Sequence, residues 1–264
     1  MRIGVVGTGN MGSALVKGWL RSSESDVALV LYDQDSERTD VLRGISPERI
    51  EVAPTVRDTA ARSDVLFVSV KPQELESVLA GVRDESSDGK VVSTAAGVTL
   101  PRIRAALGSG PAVFRIMPNL AVSVGEGVIA LAPEEKTAPG ATEAVKAVLR
   151  PLGVVELVPE QYLDVVTGLT GSGPGMLALA LEGLEDGAVH CGLPRALARP
   201  FALQMALGAA RMMIEEGVSP AELKDRVASP AGTTIFGVAE LEDHGVRGAF
   251  LRAVGAAVDR GQSL

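Results

Sequence analysis

Two sets of residues in this chain have types and spacing suited to chemistry. The first is Gly7-Thr8-Gly9-Asn10-Met11-Gly12, which fits G-x-G-x-x-G, with Asp33 standing 21 residues beyond Gly12. The first glycine permits a tight turn, the second lets a pyrophosphate approach the backbone, and the third lets a helix pack closely on a strand. A helix opening there offers unpaired N–H groups and a positive dipole end to phosphates. Thr8, Asn10 and Met11 share that turn, and Asp33 can accept hydrogen bonds from a ribose. The pattern predicts a dinucleotide site. The second set is Ser229-Pro230-Ala231-Gly232-Thr233-Thr234. Thr233 and Thr234 fall at an expected helix start, so their N–H and hydroxyl groups form a candidate carboxylate cradle. A capping turn is the other reading of this loop, although capping alone needs fewer hydroxyls.

The elements that must hold these residues follow from composition and period. Strand candidates are Arg2–Val6, Val27–Tyr32, Val65–Val70, Val91–Ser93, Val113–Met117, Val128–Leu131 and Val154–Leu157. Helical patterns lie between most of them, as at Ser13–Leu20, Gln73–Val82, Thr99–Leu107 and Ala141–Leu149. Alternation of this kind predicts a parallel, doubly wound sheet with ligands beyond the carboxyl ends of its strands. Three loops then join the turn at 7–12 on that side. They carry Val70-Lys71-Pro72, Ala95-Ala96-Gly97 and Met117-Pro118-Asn119. Small residues at 95–97 admit a close-lying ring, and Asn119 brings an amide donor and acceptor.

From Pro159 onward only helices are expected, at about 160–172, 174–191, 195–216, 220–228, 233–242 and 246–260 by period and breakers. The segments 176–189 and 201–214 are apolar on most faces and must be covered. A partner subunit is the natural cover; the alternative is the centre of a monomeric bundle. The domains read as 1–158 and 159–264.

The net charge of −8 and the lack of a Lys/Arg run argue against a nucleic-acid or anionic-membrane surface. No apolar run reaches the roughly 18 residues of a bilayer span. The single cysteine, Cys191, rules out an intrachain disulfide, and with His190 and the distant His244 it makes no metal-ligand set. No metal is expected, and a reducing cytoplasm is the expected setting. Trp19 reads as core.

In order along nearly the whole chain, the sequence resembles the pyrroline-5-carboxylate reductase family. The matching stretches are Ile3 to Gly12, Val70-Lys71-Pro72-Gln73, Ala95-Ala96-Gly97-Val98, Met117-Pro118-Asn119, Val124-Gly125-Glu126-Gly127 and Leu169 to Pro174, with Pro220 to Glu242 the most specific. The resemblance implies an α/β Rossmann-type parallel sheet domain followed by an all-α dimerisation domain. It implies homodimers, some assembled into decamers, with the active site at the domain junction. It also implies reduction of 1-pyrroline-5-carboxylate to L-proline by NADH or NADPH. Gly7 to Gly12, Asp33, residues 70–72 and 95–97 would then hold the cofactor. Asn119, Ser229, Gly232, Thr233 and Thr234 would hold the cyclic imino acid, with Thr234 also donating a hydrogen bond near the ring nitrogen. The sequence departs from the family at Leu120-Ala121, Gly175-Met176 and Ala231. Reduction of another cyclic imino acid, or a non-catalytic dinucleotide-binding regulator, are the alternatives. Asp33, Asp35 and Glu37 outnumber Arg38, which leans the cofactor expectation to NADH.

Overall fold

A computed structural model describes residues 1–23, 27–82 and 89–262. The chain divides into two compact units, Met1–Gly171 together with the chain end from Ala257, and Ser172–Ala256.

The first unit is built on eight strands: β1 (Arg2–Val6), β2 (Ala28–Tyr32), β3 (Ile50–Val52), β4 (Val65–Val68), β5 (Lys90–Ser93), β6 (Ala112–Pro118), β7 (Gly127–Pro133) and β8 (Gly153–Leu157). They lie in the order β3-β2-β1-β4-β5-β6-β7-β8. Its helices are α1 (Asn10–Arg21), α2 (Ser36–Arg43), α3 (Val56–Ala61), α4 (Leu75–Ala80), α5 (Leu100–Leu107), α6 (Pro139–Leu149) and the short α7 (Leu163–Val166). Alternate strand residues feed two apolar layers, as the pleat requires. Val65 and Phe67 pack with Leu15 and Trp19 of α1 and Val145 and Leu149 of α6. Leu66 and Val68 pack with Leu75 and Leu79 of α4 and Ile103 and Leu107 of α5. Trp19 is fully buried, donates from Nε1 to Val148 O at 2.8 Å and meets the Phe67 ring edge-on at 5.0 Å.

One expectation needs correction. The sheet is parallel from β3 to β6, but β7 runs antiparallel to β6, and β8 follows β7. The connection 119–126 is shorter than the roughly dozen residues a parallel crossover requires, so the chain turns back. It does so through a 3-10 turn, Leu120–Val124, that packs on α1. Close approach is obligatory there: a Cβ on Gly18 would lie 2.3 Å from Val122 O. Strand β3 and helices α2 and α3 are elements the sequence reading did not mark. The helix expected over 160–172 is broken into a 3-10 turn, α7 and a π-helical turn at Thr167–Gly171.

The second unit holds α8 (Gly173–His190), α9 (Arg195–Glu216), α10 (Pro220–Val227), α11 (Thr233–Asp243) and most of α12 (Val246–Gln262). Helices α8 and α9 are tied by Glu185, whose carboxylate accepts from Arg195 Nη1 at 2.8 Å and from Arg199 Nε at 3.2 Å. In α8 and α9 only Glu185 and Ala198 are buried. Leu177, Leu179, Phe201, Leu203, Met205 and Ile214 are exposed, so these helices are not the centre of a bundle within one chain. Among the described residues no helix is long and apolar enough to cross a membrane.

Candidate functional site

Above the carboxyl ends of β1, β2, β4 and β5 lies a cleft of ≈ 1360 Å³. Its floor is the turn between β1 and α1. Gly7 has φ +88°, and a Cβ there would lie 2.6 Å from Ser69 O. A Cβ on Gly12 would fall 2.0 Å from Gly7 O, so the helix can sit this close only on a glycine. At Gly9 a Cβ would meet only Arg38 Nη1, at 3.8 Å, and would project into open space. Gly9 is also the N-cap of α1 and has no side chain with which to cap it. The first-turn N–H groups are therefore left for an anion. A pyrophosphate fits this cradle, and the missing Cβ is where it would approach the backbone.

The cleft gathers most of the expected cofactor residues. Gly7, Thr8, Gly9, Asn10, Met11, Asp33, Val70, Lys71, Pro72, Ala95 and Ala96 all line it. Gly12 lies beneath the turn as its packing contact, and Gly97 (φ +73°) shapes the loop beyond Ala96. Ser69 and Thr94 line the same cleft from the two loops expected on this side, Gln34 and Leu120 join them, and the sequence reading missed Lys17 and Ser123. Lys17 was findable, since it lies two helical turns beyond Asn10 on the same face. Ser69 and Thr94 join adjacent loops by a 3.1 Å hydrogen bond between their hydroxyls.

Asp33 is turned inward. Its Oδ2 accepts from Thr8 N at 2.6 Å and from Thr8 Oγ1 at 3.0 Å, and its Oδ1 accepts from Asp35 N at 3.0 Å. Arg38 faces the cleft with Nε 3.1 Å from Asp35 Oδ2. Asn119 is buried and apart from the cleft lining. Its Oδ1 accepts from Val128 N at 3.1 Å, which ties the return between β6 and β7.

In the second unit, the loop between α10 and α11 carries Ser229 to Gly232. Helix α11 begins at Thr233, as the sequence predicts, and Gly232 is its N-cap without a side-chain cap bond. Gly232 N donates to Ser229 O at 3.0 Å, and Ala231 is held at φ +56°. A Cβ on Gly232 would lie 2.2 Å from Ser229 Oγ, so this glycine makes room for the serine hydroxyl. The loop thus presents the Thr233 and Thr234 N–H groups at the free start of an 11-residue helix. A carboxylate suits that position.

A family model described as "Pyrroline-5-carboxylate reductase dimerisation" matches residues 160–264, and one described as "NADP oxidoreductase coenzyme F420-dependent" matches residues 2–97. The sequence is 40% identical over 268 residues to the pyrroline-5-carboxylate reductase of Methanosarcina acetivorans, covering 100% of this chain and 97% of that relative. The chain belongs to the pyrroline-5-carboxylate reductase family. The fold agrees: the Coxiella burnetii pyrroline-5-carboxylate reductase superposes with a TM-score of 0.88 at 30% identity, over 99% of this chain and 97% of that one. A Plasmodium falciparum pyrroline carboxylate reductase solved with NADP bound gives 0.87 at 25% identity, over 100% and 97%. Within the family, this chain places Leu120, which is exposed, at the cleft rim.

Proposed function

We propose that this protein reduces 1-pyrroline-5-carboxylate to L-proline with NADH or NADPH. The observation that carries the reading is the match to pyrroline-5-carboxylate reductases along the whole chain. The glycine cradle fits the dinucleotide, and the start of α11 fits a carboxylate.

Residues 1–158 act as the dinucleotide domain and 159–264 as the dimerisation and substrate domain in this reading. The bound dihydronicotinamide supplies the hydride that reaches the imine carbon. The chain supplies binding and orientation. Gly9, Asn10 and Met11 hold the pyrophosphate, with Gly7 and Thr8 shaping the turn and Gly12 beneath it. Val70, Lys71, Pro72, Ala95, Ala96 and Gly97 form the walls at the nicotinamide end. Ser229, Gly232, Thr233 and Thr234 serve the substrate, whereas Asn119, expected beside them, is buried and spends its Oδ1 on Val128 N–H. Thr234 holds the carboxylate and donates a hydrogen bond near the ring nitrogen. A protonated imine is already a strong electrophile, so no strong general acid is required of the chain.

The exposed apolar side chains of α8 and α9 support a homo-oligomer, a dimer or dimers built into a decamer. Cytoplasmic residence completes the reading.

The test is loss of dihydronicotinamide absorbance with pyrroline-5-carboxylate and with its six-membered analogue in parallel. Turnover of the five-membered ring supports the proposal; turnover of the six-membered ring alone, or of neither, overturns it.

A further inference from the structure

We propose that Arg38 reads the 2′ position of the adenine ribose, while Asp33 is a positioning residue for the glycine turn and not the ribose ligand. The inference rests on the dinucleotide reading of the cleft.

A carboxylate has about four acceptor positions. In Asp33 three are taken: two on Oδ2 by the Thr8 N–H and hydroxyl, and one on Oδ1 by Asp35 N–H. Thr8 is only 2% exposed. If Asp33 swung out to clasp two ribose hydroxyls, the Thr8 N–H and hydroxyl would lose their acceptor in a buried place, which is costly. The carboxylate therefore holds the turn, with one Oδ1 position left over. The lean to NADH supposed an Asp33 free to bind both hydroxyls, and that ground is removed.

Arg38 is the complementary case. It lies in the first turn of α2, lines the cleft, and brings Nη1 near the glycine turn. Its bond to Asp35 uses Nε alone, and the two side chains are 54% and 50% exposed. An ion pair that open to solvent holds weakly. The outer guanidinium edge is the fork that matches a phosphate, whereas a ribose hydroxyl has no need of a cation. Arg38 is thus available to a 2′-phosphate, and the repelling acid is drawn onto the turn.

The experiment is calorimetric binding of 2′,5′-ADP and of 5′-AMP to the full chain. The wild type should bind 2′,5′-ADP at least as tightly as 5′-AMP. Arg38→Ala should weaken 2′,5′-ADP by about tenfold or more and change 5′-AMP by less than about twofold. Asp33→Ser should weaken both by a similar factor. Thr8→Val should do so in part, and Thr8→Ser, which keeps the hydroxyl and the N–H, should restore wild-type binding. These Thr8 variants carry the positioning test if Asp33→Ser does not fold. Equal effects of Arg38→Ala on the two ligands would overturn the proposal. So would an Asp33→Ser protein that loses 5′-AMP while gaining 2′,5′-ADP, or Thr8→Val binding unchanged. No imine enters this assay, so its failure is distinct from failure of reductase turnover.

Discussion

Arg115 and Glu160 form an ion pair at 2.6 Å, from Nη1 to Oε1, and the same oxygen accepts the Leu100 N–H at 2.6 Å. One carboxylate oxygen therefore joins β6, the start of α5 and the turn that follows β8. The Arg115 side chain is 5% exposed and that of Glu160 27%.

Removing one partner strands the other. Glu160→Ala should destabilise the protein by about 3 kcal/mol, because the arginine is left buried and unpaired. The double variant Arg115→Met/Glu160→Gln should lose less than the sum of its single changes. Urea midpoints of the five proteins, wild type, Glu160→Ala, Arg115→Met, Glu160→Gln and the double variant, check both statements; additive losses would show that the two groups do not interact.

Gly12→Ala places a methyl group 2.0 Å from Gly7 O, a backbone atom. The helix must move off the strand, with an expected loss of about 1–3 kcal/mol. Dinucleotide binding should fall with it, since the cradle depends on that contact. Fluorescence titration with NADPH, beside a thermal melt, measures the two effects; retained affinity would show that the turn tolerates the shift.

Thr234→Ala should lower kcat/KM for the imine about 10- to 100-fold, the loss expected for a hydrogen bond to a charged group. Cofactor affinity should stay unchanged. Wild-type kinetics in this variant would reduce the Ser229–Thr234 loop to a capping turn.

The Glu134 carboxyl is held below its ordinary value of 4.5, first by its hydrogen bond from Arg104, which outweighs the opposing effect of burial, and then by the nearby charges of Arg104 and Lys136. Its folded-state pKa is thus lower than in the unfolded chain. The stabilisation is complete above about pH 4.5 and is lost as pH falls through the lower, folded value. Glu134→Gln should be less stable than wild type at neutral pH and show a shallower acid limb. Melting temperatures from pH 7 down to pH 3 decide it; parallel curves would exclude the linkage.

Stability should rise with protein concentration if the bare apolar side chains of α8 and α9 are covered by another copy, because association favours the folded state by mass action. Melts across a hundredfold dilution, read with light-scattering mass, test this. A concentration-independent melt at monomer mass would refute the assembly.

The parts legible in the sequence are those encoded locally. The glycine spacing at 7–12 states what the backbone must do, and the unbroken apolar runs of β1, β2 and β4 state that both faces are covered. Trp19 read as core because its neighbours had helical period. The short β3 carries only three residues and had no period to show. The direction of β7 depends on how far 119–126 can reach, which periodicity does not record. Asp33 could be placed at the end of β2 from sequence, but not its choice of Thr8 as partner. That choice is made by a loop that comes near only after the sheet has formed. Glu160 lay in a presumed helix, with no local sign that it would reach Arg115.

The reversal between β6 and β7 also sorts the chain's tolerance of added length. Leu120 and Ser123 line the cleft, so residues added between Asn119 and Glu126 would hang over its mouth and remould it. Residues added at 135–138, where β7 has already run back to the opposite end of the strands, would lie away from the cleft and leave it alone. The first loop is where a lineage could change what the protein accepts; the second is where a tag or a whole inserted domain could be carried.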